Sequence, residues 1–200
     1  MTDKQKKITS VAGAAIVIVA ILIYWLFFSS FSSSRKPSFV YIDSDDTPDS
    51  VYVKLDKTAK PSQMLGFKLC AFVVNYGSHV HPGRYATGDG VSTFRLLRNL
   101  RGGRQTAVEL VIPVVHTMND LAGRLSQQLE ADSATLAATF KDGKVLAPLG
   151  VDTATVPCLF IPNTYEVYWD ITPQKLMQRM KKEHDAYWTS ARKQQAKAAG

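Results

Sequence analysis

The sequence predicts an α+β domain carried behind an N-terminal apolar helix. Residues 11–28 form an uncharged apolar run, short β-rich stretches and amphipathic helical patterns alternate irregularly after residue 38, and Thr/Pro signals open the later helices. At 200 residues, 46% hydrophobic and 20% charged, the chain can bury a sizeable core.

The 18-residue run 11–28 is long enough for a transmembrane helix candidate, and Tyr24 and Trp25 suit an interfacial belt. Lys4, Lys6 and Lys7 before it, against Arg35 and Lys36 after it, favour a single pass with a cytoplasmic N-terminus. The run exceeds a signal-peptide core and lacks an Ala-x-Ala site, so an uncleaved anchor is expected. The serine-rich residues 29–37 read as a tether. Folding is expected from Phe39, with strands at 39–42 and 51–53 joined by an acidic loop carrying Asp43, Asp45, Asp46 and Asp49. That loop lacks the Gly and final Glu of an EF-hand and reads as solvated charge.

Residues 64–76 show no clean period, leaving helix and strand both open. His79 and His81 share a face if extended but have no third ligand in view, so a rim pair before the Pro82-Gly83 turn is expected. Val91, Phe94, Leu97 and Leu100 recur at helical spacing and Gly102-Gly103 stops that helix. Val108, Leu110, Ile112 and Val114 alternate as a strand. Thr117 with Asp120 then opens a helix bearing Leu121, Ala122, Leu125 and Leu129, and Asp132 or Ser133 caps a third helix with Leu136, Ala137 and Phe140. With a later strand, this is a βααβ unit.

Residues 160–169 read as strand, turn and strand. Pro162 removes a donor, Asn163-Thr164 bends the chain, and three aromatics follow around Glu166. Alternation puts Tyr165 and Trp169 on one face and Glu166 and Tyr168 on the other. Burial tendencies alone favour Tyr165, Val167 and Trp169 in a core with Glu166 facing water. Thr172 caps and Pro173 opens a long helix with Leu176, Met177, Met180, His184, Tyr187, Trp188 and Ala191 in one stripe.

The net charge of +7 is uneven. Residues 1–36 carry five basic groups and one acid, for +4; residues 173–200 carry seven and two, for +5; the middle sums to −2. The basic balance belongs to the two ends, which argues against a nucleic-acid partner. Cys70 and Cys158 allow one disulfide or two buried thiols. No Walker loop, Gly-x-Gly-x-x-Gly or Gly-x-Ser-x-Gly motif is present, and neither a cofactor nor a metal site is expected.

The run Phe160-Ile161-Pro162-Asn163-Thr164-Tyr165-Glu166-Val167-Tyr168-Trp169, with Thr172-Pro173 and the helix after it, resembles a signature of the bacterial membrane-bound endolytic murein transglycosylases, the MltG/YceG-like family. Pro82-Gly83-Arg84-Tyr85, Leu100-Arg101-Gly102-Gly103-Arg104-Gln105 and Thr117-Met118-Asn119-Asp120-Leu121-Ala122 reinforce the resemblance in order and spacing. It implies a LysM-like, glycan-binding subdomain at 105–161, an α+β subdomain at 38–104 and the start of the catalytic domain at 162–200. The implied activity is a carbon–oxygen lyase that cleaves peptidoglycan glycan strands to 1,6-anhydro-muramyl ends. The implied location is the inner membrane with the domain outside the cytoplasm, and peptidoglycan synthases are further candidate partners.

The family's catalytic glutamate maps beyond Gly200. The chain is therefore expected to be a fragment lacking it and inactive alone, with Glu166 as the fallback acid; the alternative is a non-catalytic, membrane-tethered peptidoglycan-binding or scaffold protein. Asn163, Tyr165, Glu166, Tyr168 and Trp169 are the expected substrate-binding residues, with Tyr165 or Trp169 as the stacking platform.

Overall fold

The computed structural model describes residues 3–199 apart from Arg35 and Asp89, with side chains from Ala12 onward. Met1–Thr106 and Ala107–Gly200 form two compact units with separate hydrophobic cores.

In the first unit, α1 (Asp3–Phe28) is followed by β1 (Phe39–Ile42), α2 (Pro48–Asp56), α3 (Pro61–Val73), β2 (Gly83–Ala86) and α4 (Thr93–Arg101). β1 and β2 pair antiparallel from Phe39 opposite Ala86 to Ile42 opposite Gly83. Phe67 centres the core, with its ring 5.9 Å from Phe31 and 6.1 Å from both Tyr52 and Tyr76. Buried Thr93 Oγ1 donates to Gln63 Oε1 at 2.8 Å, tying α4 to α3.

Three expectations for this unit change. Residues 51–53 lie in α2 and form no strand: Thr47 caps the helix by accepting from Ser50 N, Pro48 sits in its first turn, and Val51 and Leu55 fall four apart on its buried face. The acidic loop is held together by Asp46, which accepts from Asp43 N at 2.7 Å and Ser50 Oγ at 2.5 Å and pairs with Lys54.

The serine-rich stretch is not a free tether. Phe31 is fully buried, Phe31 N donates to Val91 O at 2.8 Å, and Lys60 N donates to Phe31 O at 2.9 Å. One bulky apolar residue among serines is enough to thread the segment into the core.

The transmembrane span over 11–28 is likewise not supported. Among the described residues no helix is long and apolar enough to cross a membrane. Within α1, among the residues whose side chains are described, residues 12–25 and Phe28 are exposed. Leu26 and Phe27 are half-buried, and α1 approaches α3 so closely at Gly66 that a Cβ there would lie 2.7 Å from Leu26 Cγ. Val11 and the flanking Lys4, Lys6, Lys7 and Arg35 lie outside the residues whose side chains are described.

The second unit runs β3 (Val108–Ile112), α5 (Met118–Ser126), α6 (Ser133–Thr139), α7 (Gly143–Leu146), β4 (Asn163–Val167), α8 (Pro173–Tyr187) and α9 (Ser190–Ala199). β3 and β4 pair antiparallel from Val108 opposite Val167 to Ile112 opposite Asn163. The strand closing the βααβ unit is therefore β4, and residues 162–180 share the core of the preceding segment instead of starting a separate domain. Caps form at Thr117, Asp132 and Thr172 as their spacing predicts. α8 buries Leu176, Met177 and Met180, while His184 is half-buried beside Asp185 and Tyr187 is exposed, so the apolar stripe is covered only in its first half.

Candidate functional site

The β3–β4 sheet has an inner and an outer face because side chains alternate along each strand. Val108, Leu110, Ile112, Tyr165 and Val167 point inward to the core; Glu109, Val111, Thr164 and Glu166 point outward. The outer edge of β3 is occupied at Val111, whose N–H donates to Gln128 Oε1 at 2.9 Å and whose carbonyl accepts from Gln128 Nε2 at 3.1 Å. Val111 and, by alternation, Glu109 thus turn their backbone groups away from β4. Glu109 and Glu166 form a non-hydrogen-bonded cross-strand pair, the closer of the two antiparallel spacings, with two carboxylates side by side on the exposed face.

The expected site residues separate by depth. Tyr165 is 7% exposed, and its hydroxyl donates to Ile161 O at 2.8 Å; burial, reinforced by the charge of Glu183, pushes its phenol above the usual range. Its ring belongs to the core and offers no face to a ligand. Trp169 is half-buried against the same core, and its carbonyl accepts from Glu130 N at 3.0 Å. Asn163 Oδ1 accepts from Thr164 N at 2.8 Å, which shapes the turn into β4.

Glu166 and Tyr168 instead open together into a cleft of about 370 Å³, walled by Ala107, Val167 and Ile171 and closed by Arg179. Tyr168 is 56% exposed. Arg179 reaches the cleft from α8, and its Nε lies 2.8 Å from Glu183 Oε1 one turn further on. The cleft therefore presents one aromatic ring, one carboxylate and one guanidinium on apolar walls. Such a set stacks on a ring face and fixes it with charge-assisted hydrogen bonds. Alternation from Tyr165 already put Glu166 and Tyr168 on one face; Arg179, on a helix whose docking only the fold determines, had no local signal.

A larger groove of about 680 Å³ lies beside α5, with Val111, Val114, His116, Asp120, Arg124 and Gln127 among its walls. It has no aromatic ring except the His116 imidazole.

The remaining candidates stand apart. His79 Nδ1 lies 2.7 Å from Ser78 Oγ and 3.2 Å from Asn75 O, in a local turn. Among the described residues no three His, Cys, Asp or Glu side chains gather as metal ligands would. Cys70 and Cys158 are free thiols, the first half-buried in the first unit and the second exposed in the second.

Fold and cleft together define a two-unit α+β protein with a polar, aromatic-bearing surface site. The YceG-like family profile matches residues 40–200, and the chain belongs to the YceG-like family. Members of that family are known as MltG-type transglycosylases; it is a cell-envelope family with a peptidoglycan-related function. Among solved structures, a yceG-like protein from Listeria monocytogenes matches at 17% identity and a TM-score of 0.40, over 83% of this chain and 60% of that one. The chain thus spans about 60% of the length of that protein. No curated protein sequence matches it.

Proposed function

We propose that the protein binds peptidoglycan glycan strands in the cleft formed by Glu166, Tyr168 and Arg179, and that it serves their endolytic cleavage to 1,6-anhydro-muramyl ends. The observation that carries the reading is the convergence of those three side chains on one exposed, apolar-walled face within a chain of the YceG-like family. A sugar ring stacks on Tyr168, Glu166 accepts from ring hydroxyls, and Arg179 meets the carboxylate that a muramyl residue or its stem peptide carries.

The reaction class needs an acid and a base. The bond between C1 and the bridging oxygen breaks, the leaving oxygen takes a proton from a carboxylic acid, and the C6 hydroxyl attacks C1 while its proton passes to a base. No water is consumed. An acid for this step is made by burying a carboxyl against apolar surface. Glu166 is exposed and faces Glu109, so its role here is to hold the strand.

Titration with soluble glycan strands, followed by backbone NMR shifts, tests the reading. Perturbation at Glu166, Tyr168, Ile171 and Arg179 is expected; shifts confined to Val114, His116 and Arg124 would move binding to the groove beside α5.

A further inference from the structure

The first unit carries a surface that the glycan reading leaves unused. α3 buries Met64, Phe67 and Ala71 but turns Leu65, Leu69, Phe72 and Val73 outward, with Phe72 87% and Val73 81% exposed. These four fall at i, i+4, i+7 and i+8, one continuous stripe opposite the core-facing side of the helix. Where the stripe ends, the next residue, Val74, opens a cleft of about 360 Å³ floored by Val74, Phe94 and Leu97 and rimmed by Arg98, Arg101 and Arg104. Among the described residues none of the three guanidiniums has an acidic partner. Phe94 is itself exposed, and its ring lies 5.9 Å from Phe28 at the end of α1, so apolar surface continues beyond the cleft.

We propose that this α3–α4 corner docks on an anionic phospholipid surface. The α3 stripe enters the boundary between headgroups and acyl chains, and Arg98, Arg101 and Arg104 take the phosphodiester oxygens above it. The charge selects the occupant. Three guanidiniums with no acidic partner among the described residues, beside outward apolar side chains, match an amphiphile with an anionic head and an aliphatic body. A glycan strand has no use for the Leu65–Phe72 stripe, and a soluble anion would leave it in water. This contact involves residues 65–104 and is independent of any membrane role for α1.

The test must distinguish this face from general association through α1, so its readout is local. The full chain, with Cys70→Ala and Cys158→Ser, carries Val73→Cys labelled with bimane; a second preparation carries the label at Lys175→Cys in the second unit. Vesicles of phosphatidylglycerol and phosphatidylcholine should shift the Val73 label to the blue and expose it to quenching by doxyl lipids, leaving the Lys175 label water-like. Pure phosphatidylcholine should do neither. The combined Arg98→Gln, Arg101→Gln and Arg104→Gln variant, whose changes are on the surface, should weaken the anionic-vesicle response at least tenfold and flatten its salt dependence.

A Val73 label that stays water-like on anionic vesicles overturns the proposal. So does an unchanged salt dependence in the triple variant, or millimolar inorganic phosphate abolishing the response, which would make the cleft a site for free phosphate.

Discussion

Tyr165 and Tyr168 stand three residues apart and meet opposite environments, which separates stability from binding. Tyr165→Phe removes the bond to Ile161 O and should lower unfolding free energy by about 0.5–1.5 kcal/mol in urea titration while leaving glycan binding unchanged. Tyr168→Ala should change stability by less than about 0.5 kcal/mol yet weaken binding by about 1 kcal/mol or more. Neutralising one of the facing carboxylates by Glu109→Gln should stabilise the protein by about 0.2–1 kcal/mol, read as a raised urea midpoint. The thiols should also differ. Burial pushes the Cys70 thiol up, so at mildly alkaline pH a thiol reagent should modify exposed Cys158 first and Cys70 slowly. Period-two alternation made the split between Tyr165 and Tyr168 legible in the sequence, and burial tendencies put Tyr165 and Val167 in the core; the stacking platform expected at Tyr165 or Trp169 fails because that face joins the core that Leu176, Met177 and Met180 of α8 complete.

At the scale of elements, local chemistry was legible where it stood alone and misleading where two signals competed. Thr117, Asp132 and Thr172 cap the helices their spacing announces. Val51-Tyr52-Val53 has strand composition, but Thr47-Pro48 nucleates a helix in which Val51 and Leu55 share the buried face, and burial outweighs propensity. Thr47→Ala should therefore cost about 1 kcal/mol by chemical denaturation, as loss of an N-cap does. The close approach of α1 to α3 depends on Gly66, which has no sequence signal. Gly66→Ala should lower the melting temperature, because its Cβ would press on Leu26 Cγ at 2.7 Å and Leu26 O at 3.1 Å.

For the whole molecule, family and α+β class were legible from motif order, whereas the packing at the end of α1 was not: hydropathy registers residues 26–28 and 31 as apolar but cannot register that protein partly covers Leu26 and Phe27 and fully covers Phe31. The same packing sets the pH window. Burial, with the charges of Tyr85, Tyr52 and Asp46 adding to it, pushes the Tyr76 phenol far above its usual range. Burial also raises Tyr52 and Tyr165; it pulls Lys54 down, but hydrogen bonds to Asp43 and Asp46, reinforced by their charges, hold Lys54 above its usual range. Groups raised in the folded state stabilise it fully below their unfolded values near 10, and that stability is lost as pH climbs through the folded values. Burial pulls Asp46 upward, but hydrogen bonds from Lys54 and Ser50 hold it below the usual range; its contribution is present above about pH 4 and lost on acidification. Stability measured by urea titration should form a plateau between about pH 5 and 10 and fall on both sides, the acid limb shrinking in Asp46→Asn. The central claim, that the outward cleft of the second unit holds glycan strands, is tested most directly by a pull-down on purified sacculi with the full chain and its Tyr168→Ala, Arg179→Gln and Tyr165→Phe variants. The first two should lose most of the bound fraction while remaining folded, and the third should bind as the unaltered protein does. Undiminished binding by both Tyr168→Ala and Arg179→Gln would contradict the account.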